Sequence, residues 1–242
     1  MTPEQLEASI LQYAIQGKLV EQRVEEGTAE ALYQQIQAEK QKLIKDGKIK
    51  KGKPLTDIAD DEIPFDIPDS WKWVRLDDVV IKTIKRGKSP KYTEKSNVLV
   101  FAQKCIRRQD TLIYHCLCVW MKPYPVDEFM VDGDIVINFT GNGTLGRVGV
   151  YHDYDNPNNC PIVPDSHVTV IRCNRNVSGS FVFYVLKHYQ PYMEKLGSGS
   201  TNQTELSAGI LKTLLFPLPP LEEQKRIVAK IEELLPLCER LK

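Results

Sequence analysis

No part of the 242-residue sequence stays apolar for long. Uncharged apolar runs such as residues 98–102 and 135–137 fall far short of the ~20 residues that span a bilayer. The opening Met-Thr-Pro-Glu-Gln has neither the basic start nor the apolar core of a secretory leader. A cytoplasmic chain with no membrane contact is therefore expected. Patterned cysteine is also missing: Cys105, Cys116, Cys118, Cys160, Cys173 and Cys238 make no Cys-x-x-Cys step. Only His115 stands beside a cysteine, and not at zinc spacing, so reduced, mostly buried thiols and no metal site are expected. Walker-type loops, Gly-rich methyl-donor motifs and the Asn-Pro-Pro-Tyr or Asp-Pro-Pro-Tyr of adenine methylation are absent. His115, His152, His167 and His188 have no Ser or Cys at recognisable spacing, and no catalytic residue is assigned.

Net charge is absent too, with 32 basic residues against 32 acidic. The distribution says more than the sum. Residues 39–53 hold seven lysines against Glu39 and Asp46, and residues 57–78 hold eight acids against Lys72 and Arg75. Residues 82–108 then hold nine bases against Glu94, and residues 109–155 turn acidic again. A neutral but zoned chain fits a protein that touches a polyanion with one face and protein with others. The first lysine run reads as plain solvation. The second surrounds Gly87, Ser89, Pro90 and Tyr92 in a loop-like context.

Apolar spacing predicts a helix over residues 4–16, with Leu6, Ile10, Leu11 and Ala14 on one face and Gly17 as its stop. A second runs from 28 to 45, capped by Thr28, with Ala31, Leu32, Ile36 and Leu43 facing one way. Residues 54–70, with three prolines among acids, read as an extended linker laid over a surface. Short strands are predicted at 71–76, 98–103, 117–121, 134–138, 147–152 and 167–173. Helix follows at 181–194, with Phe181, Tyr184, Val185, His188 and Tyr192 on one side. Then come a polar loop at 197–204, a short helix or turn at 207–211 and a last strand at 214–218. The fold class is α+β: one mixed α/β domain (71–216) flanked by helical regions (1–53 and 217–242). No internal repeat is visible.

The most informative run is residues 216–235, Phe-Pro-Leu-Pro-Pro-Leu-Glu-Glu-Gln-Lys-Arg-Ile-Val-Ala-Lys-Ile-Glu-Glu-Leu-Leu. Pro217, Pro219 and Pro220 are unsuited to a strand or a helix interior, but Pro220 suits a helix start. After it Ile227, Ile231, Leu234, Cys238 and Leu241 recur at steps of four and three, a coiled-coil seam that must dock on another helix. Pro236 lies inside that seam and is expected to kink it.

This run closely resembles the proximal conserved helix of type I restriction–modification specificity (S) subunits. Residues 6–20 (Leu-Glu-Ala-Ser-Ile-Leu-Gln-Tyr-Ala-Ile-Gln-Gly-Lys-Leu-Val) look like the distal end of such a helix. Residues 63–76 are similar to the lead-in of a target-recognition domain, and 141–149 and 197–206 resemble two of its loops. The resemblance implies one recognition domain with split helical regions, half of a full-length subunit. It implies a non-catalytic reader of double-stranded DNA that recruits a methylation (modification) subunit and a restriction (translocase/nuclease) subunit. S-adenosylmethionine, ATP and Mg would belong to those partners, with no cofactor on this chain. A homodimer would restore the family's twofold layout and read a bipartite target. The interface would use Leu6, Ile10, Ile227, Ile231, Leu234 and Leu241, the C-terminal helix of one protomer lying beside the N-terminal helices of the other. An unbroken helix from 221 to 242 would span about 33 Å, close to one turn of B-DNA.

Reading DNA needs cations on phosphates and donors or acceptors at base edges. Lys85, Arg86, Lys88 and Lys91 are assigned to phosphate, with Arg86 the best candidate for a guanine edge. Lys104, Arg107 and Arg108 form a second cluster. Asn142 and Thr144 sit among glycines that suit a tight hairpin better than a DNA contact. Ser200, Thr201 and Asn202 lie in an amide- and hydroxyl-rich loop that equally suits solvation. Two rival readings remain at this point. One is a Mg-dependent nuclease using Asp132, Asp134 and a lysine; the other is a truncated fragment acting as a coiled-coil interaction module.

Overall fold

The computed structural model describes residues 2–89, 91–92, 96–107, 124–141, 143–156, 159–196 and 206–241. It divides into two compact units. The first comprises residues 1–83, 173–188 and 212–242, and the second 84–172 and 189–211.

In the first unit, helix α1 (Pro3–Ile15) starts at Thr2. The Thr2 hydroxyl accepts from the Gln5 N–H at 3.3 Å and the Gln5 side chain accepts from the Thr2 N–H at 2.9 Å, a reciprocal cap. Gly17 follows with φ of +69°, and a Cβ there would lie 2.4 Å from Pro68 Cγ, so both backbone and packing require glycine. Helix α2 (Ala29–Lys45) is capped by Thr28 and buries Ala29, Leu32 and Ile36. Ala31, expected on that face, is exposed, because the apolar stripe runs through Ala29 one turn from Leu32.

Strand β1 (Lys72–Arg75) pairs antiparallel with the last strand of the chain, Leu215–Leu218. Pro217 sits inside that strand opposite Trp73, within the strand expected at 214–218 although proline is unsuited to one. A two-stranded ribbon has free edges, so a residue without an N–H is tolerated. Trp71, Phe181 and Phe216 meet edge to face, with ring centroids 6.4 and 5.8 Å apart. The linker carries one 3-10 turn at Asp60–Glu62, and Glu62 grips the buried Arg75 through two oxygens at 2.8 and 2.9 Å.

In the second unit, β2 (Leu99–Phe101) runs parallel to β5 (Ile162–Pro164). A three-stranded antiparallel sheet sets β3 (Ile135–Asn138) between β4 (Val148–Val150) and β6 (Val168–Ile171). Every residue of β3 is buried. Phe101, Cys105, Ile106, Met130, Val136, Tyr151, Ile162, Val168 and Val170 make one core. β5 is not among the strands expected from spacing, and the strand expected at 117–121 lies outside the described residues.

The remaining elements are helix α3 (Gly179–Leu196), α4 (Ala208–Thr213), β7 (Leu215–Leu218) and α5 (Leu221–Glu239). Helix α3 continues through Pro191, and Tyr192, expected on its apolar side, is 51% exposed. Helix α5 continues through Pro236 to Glu239. It packs on α1 of the same chain. The resemblance implies that these helices pair between protomers. The seam residues Ile227, Ile231 and Cys238 are instead buried within one chain, as is Ile10 on α1.

Candidate nucleic-acid interface

The basic segment enters the second unit along β6. Arg86 forms an antiparallel bridge with Thr169, and the Gly87 N–H donates to the Val168 carbonyl at 3.0 Å. Gly87 lies so close to the chain after β5 that an added Cβ would stand 2.1 Å from the Pro164 oxygen and 2.3 Å from the Asp165 oxygen. Only glycine allows this approach. Held this way, the flanking side chains of Lys85, Arg86 and Lys88 are exposed. Arg86 carries its guanidinium 5.5 Å from the centre of the Phe139 ring, a cation–π contact that orients a planar donor. Lys88 Nζ lies 2.7 Å, and Lys85 Nζ 3.9 Å, from the same Glu128 oxygen. Lys91 is exposed further along.

The second cluster begins in the 3-10 turn Gln103–Cys105, where Cys105 is buried and Lys104 exposed. Arg107 is also exposed, and Arg108 lies outside the described residues. The turn after β3 is bound back on itself. The Gly141 carbonyl accepts from Thr144 and Leu145 N–H groups, and the Gly146 N–H returns to the Asn138 carbonyl at 2.8 Å. Gly141, Gly143 and Gly146 all have positive φ. The half-buried Thr144 hydroxyl donates to the Thr140 carbonyl at 3.4 Å. The hairpin reading explains Thr144 better than a base contact does. Asn142, Ser200, Thr201 and Asn202 lie outside the described residues.

Burial raises the Asp165 carboxyl above its usual range, against N–H donation from His167 at 2.8 Å. Burial, with Glu128 nearby, pushes the Tyr124 hydroxyl up to about 12. Asp165 is one of the two residues whose carbonyls Gly87 approaches, and Glu128 is the carboxylate beside Lys85 and Lys88.

The carboxylates named for a nuclease have other work. Asp134 is 1% exposed and takes Arg172 Nε at 2.8 Å and Nη2 at 2.7 Å, with the Val131 N–H at 2.9 Å. Asp132 is exposed and accepts from the Asp153 N–H at 3.0 Å. A carboxylate saturated by a guanidinium is not a free Mg ligand. Among the described residues no group of three or more His, Cys, Asp or Glu is placed to hold a metal, and no helix is long and apolar enough to cross a membrane.

The C-terminal motif also acquires roles. Gln224 is fully buried; its amide donates to the Pro219 carbonyl and accepts from the Ser178 N–H, both at 2.9 Å. Arg226 pairs with Glu26 through two 2.7 Å contacts. The half-buried Leu6 and Leu234 and the exposed Leu237 and Leu241 are what the seam leaves toward solvent. Glu128, the carboxylate beside the two lysines, was not singled out in the sequence, because its partners lie about 40 residues away.

Comparison with known proteins gives this arrangement a family. The chain is 31% identical to the EcoAI specificity subunit of Escherichia coli, over 98% of this chain and 40% of that protein. It is 28% identical to the EcoEI specificity subunit of Escherichia coli, over 98% and 41%. The chain thus spans about two fifths of these curated relatives. Its fold is similar to the HsdS subunit from Thermoanaerobacter tengcongensis, with a TM-score of 0.56 at 21% identity, covering 88% of this chain and 50% of that one. A chain from a type I R-M system studied for complex assembly and conformational transition gives a TM-score of 0.57 at 20% identity, covering 88% and 48%. Residues 68–241 match the family model described as the type I restriction modification DNA specificity domain, and the chain belongs to that family.

Proposed function

We propose that this chain reads a sequence in double-stranded DNA and lends that address to catalytic subunits it does not contain. The observation that carries the reading is the exposed row Lys85, Arg86, Lys88, Lys91, Lys104 and Arg107 in one unit of a DNA-specificity family member. Lysines supply sequence-independent attraction to phosphate; Arg86, oriented by Phe139, supplies a planar donor pair of the type that reads guanine. The partners are a methylation subunit that uses S-adenosylmethionine on the N6 of a flipped adenine, and a restriction subunit that uses ATP and Mg. This chain takes no part in their bond-making.

A single domain with about 4–6 phosphate contacts binds weakly at cellular salt. A second copy supplies avidity without new contacts. That copy would bring a second half-site, making the target bipartite. The exposed Leu237 and Leu241, with the half-buried Leu234 and Leu6, support such a homodimer.

The test is to co-express the chain with its methylation subunit and map methylated adenines across a genome. A symmetric bipartite motif is expected. An asymmetric motif would replace the homodimer with a second specificity partner. Absence of any preferred duplex, by methylation or by binding of the purified protein, would overturn the reading.

A further inference from the structure

We infer that Glu128 is a positioning residue for DNA recognition: it gathers Lys85 and Lys88 on one carboxylate, trading raw affinity for register. The inference rests on the DNA-reading function proposed above. Its geometry lies within a single compact unit. Glu128 closes the 3-10 turn Val126–Glu128, and its side chain is 13% exposed, against 53% for Lys85 and 61% for Lys88. The carboxylate is therefore fixed, and the two ammonium groups are brought to it. Lys88 makes the closer contact at 2.7 Å and Lys85 stands at 3.9 Å from the same oxygen. Between them Gly87 is pressed against the Pro164 and Asp165 carbonyls, so the backbone joining the two lysines cannot slide.

Free lysines on a loop are flexible point charges that meet any phosphate equally well. Two lysines tethered to a common anion are presented at a set spacing beside Arg86, whose own direction is set by Phe139. A random duplex then meets a discounted charge, while a duplex whose base edges satisfy Arg86 meets lysines already in place.

The experiment compares wild type, Glu128→Gln, Glu128→Asp, Lys85→Ala/Lys88→Ala, and the triple variant. Each is titrated in a salt series against a random-sequence duplex and against the duplex selected by the wild-type protein from a randomised library. Glu128→Gln keeps the shape and loses the charge. It should bind random duplex about two- to fivefold more tightly, the factor a partly exposed ion pair commands. It should bind the selected duplex no more tightly, so that the ratio between them falls. Glu128→Asp should retain more of that ratio than Glu128→Gln. In the Lys85→Ala/Lys88→Ala background Glu128→Gln should change nothing, which separates coupling from general charge removal. Equal tightening on both duplexes, or an effect that survives loss of the lysines, overturns the inference. If wild type discriminates and Glu128→Gln does so equally, the inference fails alone. If wild type selects no duplex, the reading of function fails and takes the inference with it.

Discussion

The pair Asp134–Arg172 offers the sharpest test of how the second unit is held together. Replacing Asp134 by Ala removes both carboxylate contacts to the guanidinium, at 2.8 and 2.7 Å, and the acceptor for the Val131 N–H at 2.9 Å. Arg172 would keep the Phe129 carbonyl at 2.8 Å. Breaking one partner of a buried pair costs roughly 3–5 kcal/mol, because the other charge is left without compensation. Arg172 is 22% exposed, so water reaches part of it and the low end applies. The orphaned Val131 N–H adds about 1 kcal/mol. A loss of about 3–4 kcal/mol follows. With urea slopes of about 1–3 kcal/mol per molar, the midpoint should fall by roughly 1–4 M. The assay is urea denaturation with amide exchange at residues 135–138 and 168–171, the strands nearest the pair. Replacing both partners by apolar residues of similar size should recover much of the loss. The nuclease reading makes the opposite forecast: Asp134→Asn would abolish Mg binding and leave stability alone. A midpoint shift under about 0.5 M for Asp134→Ala refutes the structural role argued here.

Gly87→Ala must separate the loop from the Pro164 and Asp165 carbonyls; the unit should stay folded while affinity for duplex DNA falls at least about tenfold, and unchanged affinity would remove this loop from the interface. Lys104→Ala with Arg107→Ala should weaken binding to all duplexes alike and reduce the slope of log affinity against log salt by about 2, checked by fluorescence anisotropy; an unchanged slope excludes that cluster. Glu223 is 1% exposed, and burial raises its carboxyl above 4.5, against donation from Gln22 at 2.6 Å. A raised folded-state value means that its favourable contribution is present at low pH and is lost as pH rises through that value. Glu223→Gln should therefore be more stable than wild type at pH 8, with an advantage that shrinks toward pH 4; a constant difference across that range would contradict the buried carboxylate.

The elements that were legible carry their own local logic. Residues 3–15 have a cap, a stripe and a terminal glycine, and the fully buried β3 is a short apolar run between turn residues. What sequence missed depends on pairing across distance. Residues 161–164, Pro-Ile-Val-Pro, have no alternation and become β5 because Leu99–Phe101 lies parallel to them. Spacing alone puts Ala31 and Tyr192 on apolar faces, yet both are exposed, while Ala29, one turn before Leu32, is buried. The basic loop was legible as charge, and its shape was not. Nothing near residue 87 announces the carbonyls of 164 and 165, and nothing near residue 88 announces Glu128.

The C-terminal motif shows why an apparent docking helix can be a closing device. Its charged and amide residues face positions far away in sequence: Gln224 meets Ser178, Arg226 meets Glu26, and Glu223 meets Gln22, while Gln224 also ties back to Pro219. Each contact requires the N-terminal region, α3 or the last strand to be in place. The two chain ends therefore form one helical unit in cis, with Ile10, Ile227 and Ile231 inside it. An apolar seam read from sequence states only that something must cover it. Here α5 is covered within the chain from Ile227 as far as Cys238, and Leu237 and Leu241 are exposed. Whatever covers Leu237 and Leu241 would add to a closed unit and would not have to open one.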